Sequence, residues 1–210
     1  MTEPAPPRRR RRKDARPDEI LAAALEAFAT TGYAATRLDD VARRAGVAKG
    51  TIYLYYAGKE QLFQAVVRRA VVPQLDHIER QALTYPGSVE AFLRGPFLGL
   101  QHHLLRSDLR RLVRVMLTEG PLFPELTEFY YREVIARGLV VLRALIARGV
   151  ERGEFRPTAL AELPQPLIAS AVLALLWESL FGHLHPLDTE RLLETHISLL
   201  LEGLRAPRTP

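Results

Sequence analysis

The stretch TRLDDVARRAGVAKGTIYLYYAGK, Thr36 to Lys59, decides the fold. Leu38, Val41, Ala42 and Ala45 recur at spacings of three and four, which gives a short helix one apolar face. Thr36 precedes it, where a hydroxyl can accept from the backbone N–H of Asp39. Asp39 and Asp40 place negative charge in the first turn, where a helix favours it. Gly46 follows the last periodic residue, at the point where a left-handed backbone is needed and a Cβ is penalised. Val47 returns the chain to the core. Ala48 and Lys49 open a second helix, with Ile52, Tyr55 and Tyr56 expected on its buried face. Ala42 and Gly46 allow close approach of two helices across a short turn.

The exposed side of the second helix carries chemistry suited to a DNA groove. Lys49 can neutralise a phosphate or donate to a guanine edge. Gly50 lets backbone approach without a side chain intervening. The hydroxyls of Thr51, Tyr53 and Tyr55 can donate to phosphates, and apolar Leu54 can touch a thymine methyl. Lys59 opens the next helix at a natural phosphate position. An Ala, a turn Gly and flanking apolar residues at these intervals read as a helix-turn-helix that fits a major groove.

The longer run GYAATRLDDVARRAGVAKGTIYLYYAGKEQLF, Gly32 to Phe63, closely resembles the DNA-binding domain of TetR-family transcriptional regulators. The preceding RPDEILAAALEAFATTGY fits that family's first helix, so the resemblance covers roughly the first third of the chain. It implies that Thr36 and Arg37 contact backbone phosphates. It implies that Ala48, Lys49, Gly50, Thr51, Tyr53, Leu54 and Tyr55 form the recognition helix, and that Lys59 anchors a further phosphate. Two positions depart from the family pattern: Leu54 stands where a His or another polar residue is frequent, and Tyr56 where Phe is frequent.

Composition bounds the rest. The 210 residues are 48% apolar and 25% charged, an ordinary globular balance. The chain contains no Cys, which excludes disulfides and thiolate metal sites. No apolar run is long enough for a membrane span, and no signal-peptide core follows the basic N-terminus, so a cytoplasmic protein is expected. The net charge is +5, and residues 1–16 alone carry it, with seven Lys/Arg against Glu3 and Asp14. The body is therefore neutral. Residues 1–16 read as a disordered basic arm, with Arg8, Arg9, Arg10, Arg11, Arg12 and Lys13 available to lie on phosphates or enter the minor groove.

The remainder reads as helical almost throughout, with no period-2 strand pattern. A first helix spans about Pro17–Thr31 and ends at Gly32. A helix from Lys59 to about Thr84 is interrupted or kinked by Pro73. Ser88 caps a helix toward Leu105 that Gly95-Pro96 bends, and Ser107 caps one from Asp108 to about Thr118. A long helix starts near Pro124 and is closed by Gly153. Two apolar helices follow, about Gln165–Phe181 and, capped by Asp188 or Thr189, on to Gly203. The expectation is an all-α chain of about nine helices. Its divisions are a basic arm (1–16), a three-helix helix-turn-helix domain (17–62), a larger helical effector-binding and dimerisation domain (63–205) and a disordered tail (206–210). The stretch RLVRVMLTEGPLFPELTEFYYREVI resembles the AefR-like C-terminal subgroup of the TetR family.

The last two helices are apolar on more than one face, and a second copy of the chain is the simplest supply of covering surface. Leu167, Ala171, Ala174, Leu192, Leu193, Ile197, Leu200, Leu201 and Leu204 are the candidate dimer contacts. The resemblance implies the same pairing, as a four-helix bundle, and a small-molecule effector held among the central helices. Phe97, Gln101, His102, Met116, Phe123, Tyr130, Trp177 and Glu178 are the candidate pocket residues, Glu178 because it interrupts an apolar stripe. His102 and His103 point about 100° apart on a helix, and His183 and His185 lack a carboxylate set, so no metal or cofactor is expected. No catalytic motif appears. The expected function is sequence-specific transcriptional regulation, as a homodimeric repressor leaving a pseudo-palindromic operator when a small apolar or amphipathic ligand binds. The alternative is a DNA-binding scaffold whose C-terminal domain binds another protein.

Overall fold

A computed structural model of the chain describes residues 8–205, with side chains from residue 17 onward. The basic side chains Arg8 to Lys13 and the tail 206–210 lie outside the described residues. Among the described residues every regular element is helical, apart from one isolated antiparallel bridge between Phe155 and Arg205. The chain divides into two compact units, residues 1–69 and 70–210.

The first unit contains α1 (Arg8–Ala35), α2 (Leu38–Arg44), α3 (Lys49–Tyr53) and α4 (Lys59–Ala70). α1 already begins at Arg8, where the sequence places a disordered arm; Arg and Lys are good helix formers, and no Gly or Pro separates Arg8 from Arg16. Its regular winding stops at Gly32, whose φ of 82° lies in the left-handed region. Phe28, Tyr33 and Phe63 form an aromatic triad with ring centroids 5.2–5.8 Å apart, which locks α1 onto α4. Ile20, Ala24, Val41, Ile52, Leu62 and Val67 complete a core from all four helices.

The turn between α2 and α3 is a Schellman closure. Gly46 (φ 63°) donates to Arg43 O, and Val47 donates to Ala42 O at 3.0 Å, which satisfies two carbonyls left open at the end of α2. The expected cap at the other end of α2 is absent. Arg37 occupies the N-cap position without a side-chain bond. Thr36 is 3% exposed, and its hydroxyl donates to Gly32 O at 2.5 Å and pairs with that of Thr31 at 2.8 Å. The bond to Gly32 O turns the Thr36 side chain toward the break in α1 and away from the α2 amides.

The second unit holds α5 (Val72–Thr84), α6 (Val89–Phe92), α7 (Leu98–Arg106), α8 (Leu109–Glu119), α9 (Pro124–Tyr130), α10 (Ala136–Glu151), α11 (Pro166–Phe181) and α12 (Thr189–Leu204). α6 runs into α7, and α9 into α10, through π-helical turns at Leu93–Phe97 and Tyr131–Ile135; with the break between α4 and α5, the nine or so expected helices appear as twelve segments. Pro96 sits in the first π turn, where its missing N–H opens the hydrogen-bond ladder; the expected bend is thus absorbed as one widened turn. The break between α4 and α5 falls at Val71, two residues before Pro73.

Ser88 caps α6 by accepting from Ala91 N at 3.0 Å, and Asp188 caps α12 by accepting from Arg191 N at 3.0 Å. Ser107 does not cap α8: its hydroxyl turns back to Leu104 O, and Asp108 holds the N-cap position without a side-chain bond. The main core joins Leu75, Ile78, Phe92, Phe97, Leu145, Ile146, Phe155, Leu167, Ile197 and Leu201. Arg137 on α10 bridges Asp76 (2.6 Å) and Glu79 (2.7 Å) on α5.

Candidate nucleic-acid interface and effector cavity

α3 is held in the first unit by Ile52, which is fully buried, and by half-buried Tyr56. Tyr55, expected on the same face, is exposed instead, because the helix closes at Leu54 and the chain passes into a turn. The remaining residues of the segment point outward. Ala48, Lys49, Gly50, Tyr53, Leu54 and Tyr55 are exposed and Thr51 half-exposed. Leu54, at 80% exposure, is an apolar side chain that the protein's own core does not use. A Cβ added at Gly50 would meet nothing within 4 Å, so packing does not require the glycine there.

Four cations of this unit are paired with carboxylates inside it. Lys49 Nζ donates to Asp39 Oδ2 at 2.9 Å, which raises the Lys49 pKa above its ordinary value. Arg43 pairs with Asp40, Arg44 with Glu26 and Arg69 with Asp18. Arg37 is exposed and has no carboxylate partner among the described residues. Two expected phosphate ligands are engaged inside the unit. Thr36 is buried as described, and Lys59 Nζ donates to the carbonyls of Tyr33 (2.8 Å) and Ala34 (3.0 Å) while lying 4.5 Å from the Tyr33 ring centroid. Lys59 thus caps the carbonyl end of α1, where a cation is favoured.

The second unit contains an apolar cavity of about 210 Å³. Phe97, Gln101 and Tyr130 line it, as the sequence suggests, together with Leu100 and Leu104 one turn on along α7. His102 does not; it is turned away from the face shared by residues 97, 100, 101 and 104, and His103 reaches the lining instead. Met116 is buried elsewhere in the core, and Phe123 lies in the link before α9, outside the lining. Trp177 donates from Nε1 to His185 O at 2.8 Å and packs on Phe181, which holds it away from the cavity. Glu178 lines a separate concavity with Arg110, Arg111 and Arg114. The sequence missed the α5 wall (Leu75, Ile78) and the α10 wall (Leu139, Leu142), whose residues carry the same apolar signal as any core position. Burial pushes the Tyr130 phenol up to about 12, so it stays neutral.

Most of the expected dimer contacts are enclosed within one chain. Leu167, Ala171, Ala174, Leu193, Ile197, Leu201 and Leu204 belong to its core, and Leu192 and Leu200 pack against it. The apolar residues left open on these helices are Leu173, Leu176, Leu180 and Phe181 of α11 and Leu199 of α12. α11 is so apolar that the sequence does not separate its inward from its outward face, whereas α12 is amphipathic, with Leu193, Ile197, Leu201 and Leu204 along its buried stripe.

The exposed α3 surface, presented across a Schellman turn by a three-helix scaffold, defines a helix-turn-helix transcriptional regulator. Residues 20–66 match the tetR family of bacterial regulatory proteins, and residues 93–197 match the AefR-like transcriptional repressor C-terminal domain. The chain belongs to the TetR family. It is 25% identical to the fatty acid metabolism regulator protein of Bacillus subtilis over 156 residues, 73% of this chain and 78% of that protein. It is 39% identical to the HTH-type transcriptional activator FasR of Mycolicibacterium smegmatis over 71 residues, 34% of this chain; the match spans about a third (32%) of FasR. The fold is similar to that of the transcriptional regulator FadR from Bacillus subtilis in complex with stearoyl-CoA, with a TM-score of 0.75 at 22% identity, over 90% of this chain and 99% of that one.

Proposed function

We propose that the chain is a one-component repressor that binds a pseudo-palindromic operator as a homodimer and leaves it when a small apolar or amphipathic ligand enters the second unit. The observation that carries this reading is the apolar cavity, in a chain whose other unit presents a free recognition helix. Lys49, Gly50, Thr51, Tyr53, Leu54 and Tyr55 would meet the bases and phosphates, with Arg37 on the backbone. The two recognition helices of a dimer would reach major-groove faces about 34–36 Å apart. The open row Leu173, Leu176 and Leu180 on α11, with Leu199 on α12, offers a second copy its surface. The stearoyl-CoA bound by the similar FadR, and the fatty acid metabolism regulator among the relatives, favour a lipophilic ligand.

Release follows from linkage. The ligand must prefer the form that does not bind operator, and operator must weaken ligand binding by the same factor. The test is a gel shift on DNA upstream of the chain's own gene, with and without lipophiles that raise its Tm. The expected result is a shifted band that such a compound reverses. Compounds that raise Tm and leave operator affinity unchanged would favour the scaffold reading, in which the second unit binds another protein.

A further inference from the structure

We infer that the cavity of the second unit selects an uncharged lipophile bearing a hydroxyl or N–H group, and that Gln101 is the residue that reads it. This rests on the sensor reading above and narrows its ligand.

Gln101 is 5% exposed and lies in the cavity wall. Its Nε2 donates to Leu167 O at 3.2 Å. A carbonyl oxygen only accepts, so this bond fixes which end of the amide is which. The other end, Oε1, is buried and has no hydrogen-bond partner among the described residues. An unpaired acceptor in apolar surroundings is destabilising, and any ligand group that donates to it recovers part of that loss. The remaining polar side chains of the wall make weaker demands. Gln74 is half-buried and His103 exposed, so solvent reaches both. Tyr130 is a neutral phenol.

The charge of the ligand follows from what the wall lacks. Among the described residues, no Lys, Arg, Asp or Glu lines this cavity. A carboxylate or ammonium drawn inside would be desolvated without a counter-charge, at a cost that apolar contact does not offset. A ligand group that only accepts, such as an ether oxygen, would face Oε1 lone pair to lone pair. The preferred occupant is therefore neutral, apolar over most of its length, and a donor at one point.

Three probes of near-equal length test this on the full-length protein: decanol, decyl methyl ether and decanoate, with Kd from calorimetry and Tm from thermal shift. Decanol should bind roughly tenfold tighter than the ether, the worth of one hydrogen bond to a buried acceptor, and decanoate more weakly than either. In Gln101→Leu, an apolar replacement of similar size, the advantage of the alcohol over the ether should vanish while ether binding persists. Wild-type protein binding the ether as tightly as the alcohol, or decanoate tightest of the three, would overturn the inference and leave the sensor reading standing. Failure of all three to bind would overturn both. The wild-type comparison decides the matter even if Gln101→Leu does not fold.

Discussion

Lys49, at the start of the recognition helix, donates its ammonium to Asp39 on the preceding helix at 2.9 Å. Both side chains are more than half exposed, so the pair adds little to stability. Its consequence lies in binding: a phosphate must displace Asp39 before Lys49 can serve it, and Asp39 itself repels the DNA backbone. Asp39→Asn should therefore tighten DNA binding about threefold to tenfold, on operator and unrelated sequence alike, with Tm nearly unchanged. Lys49→Ala should weaken it and flatten the slope of log K against log salt by about one. Unchanged or weaker binding by Asp39→Asn in salt-titrated anisotropy would show that the pair persists in the complex.

Gly50 separates folding from recognition. A Cβ there meets open space, and alanine is the better helix former by about 0.5–1 kcal/mol, so Gly50→Ala should fold and keep or raise its Tm. If backbone at this position approaches the DNA, the added methyl should cut operator affinity about tenfold or more. A variant with full affinity would mean that Gly50 stands off from the groove.

The helix-turn-helix was legible because its signals are local. Gly32, Gly46 and Gly153 close their helices with positive φ, where the periodic pattern ends. Ser88 and Asp188 cap as their positions suggest. Spacing did not show which partner each polar group takes inside the unit, whether near in sequence, as for Thr36, or far, as for Lys59. Thr36 gives its hydroxyl to Gly32 rather than to α2, and Lys59 turns to the carbonyls of Tyr33 and Ala34. Neither carbonyl end could be weighed against a phosphate from spacing alone. The pocket was read from α7, where Phe97 and Gln101 share a face, and missed on α5 and α10, because cavity walls and filled core use the same residues. On α11, apolar on nearly every side, the sequence likewise does not mark which residues face the chain's own core.

Gly149 and Phe155 make a close contact that a single added methyl would break. A Cβ on Gly149 would overlap Phe155 Cδ2 and lie 2.7 Å from Cε2, and the ring is 2% exposed, with little room to retreat. Gly149→Ala should destabilise the protein by about 2–3 kcal/mol despite its better helix propensity, measured by urea denaturation. Adding Phe155→Leu should cost less than the sum of the two single changes, since the smaller side chain relieves the overlap. Additive losses would locate the damage elsewhere.

Glu90 makes stability depend on pH in the acid range. Its hydrogen bond from Arg94 (2.9 Å), aided by Arg205 (3.2 Å) and opposed by burial, holds its carboxyl below the usual value. A depressed folded-state pKa gives stability that is fully present above the unfolded value and is lost as pH falls through the folded one. Solvent reaches the group, so the contribution is about 0.5–1 kcal/mol. Glu90→Gln should be less stable than the parent near neutral pH by that amount, and the gap should close below about pH 4. A gap independent of pH would assign the loss to packing.

Leu173, Leu176 and Leu180 lie at i, i+3 and i+7 on α11, a single exposed stripe, with Leu180 58% exposed. Nothing in the chain's own core needs them, so charge there is tolerated by a monomer and punished in a dimer, where each copy would bury the other's unpaired carboxylates. Leu173→Glu combined with Leu180→Glu should leave the helical circular dichroism intact and convert a dimer to a monomer in sedimentation velocity. Operator affinity should fall by a hundredfold or more, on the order expected when two linked contacts become one. Leu193→Glu is the contrasting case: that residue is 1% exposed in the protomer core, and the change should unfold the second unit rather than dissociate it. A folded double variant that remains dimeric would move the interface off this face of α11.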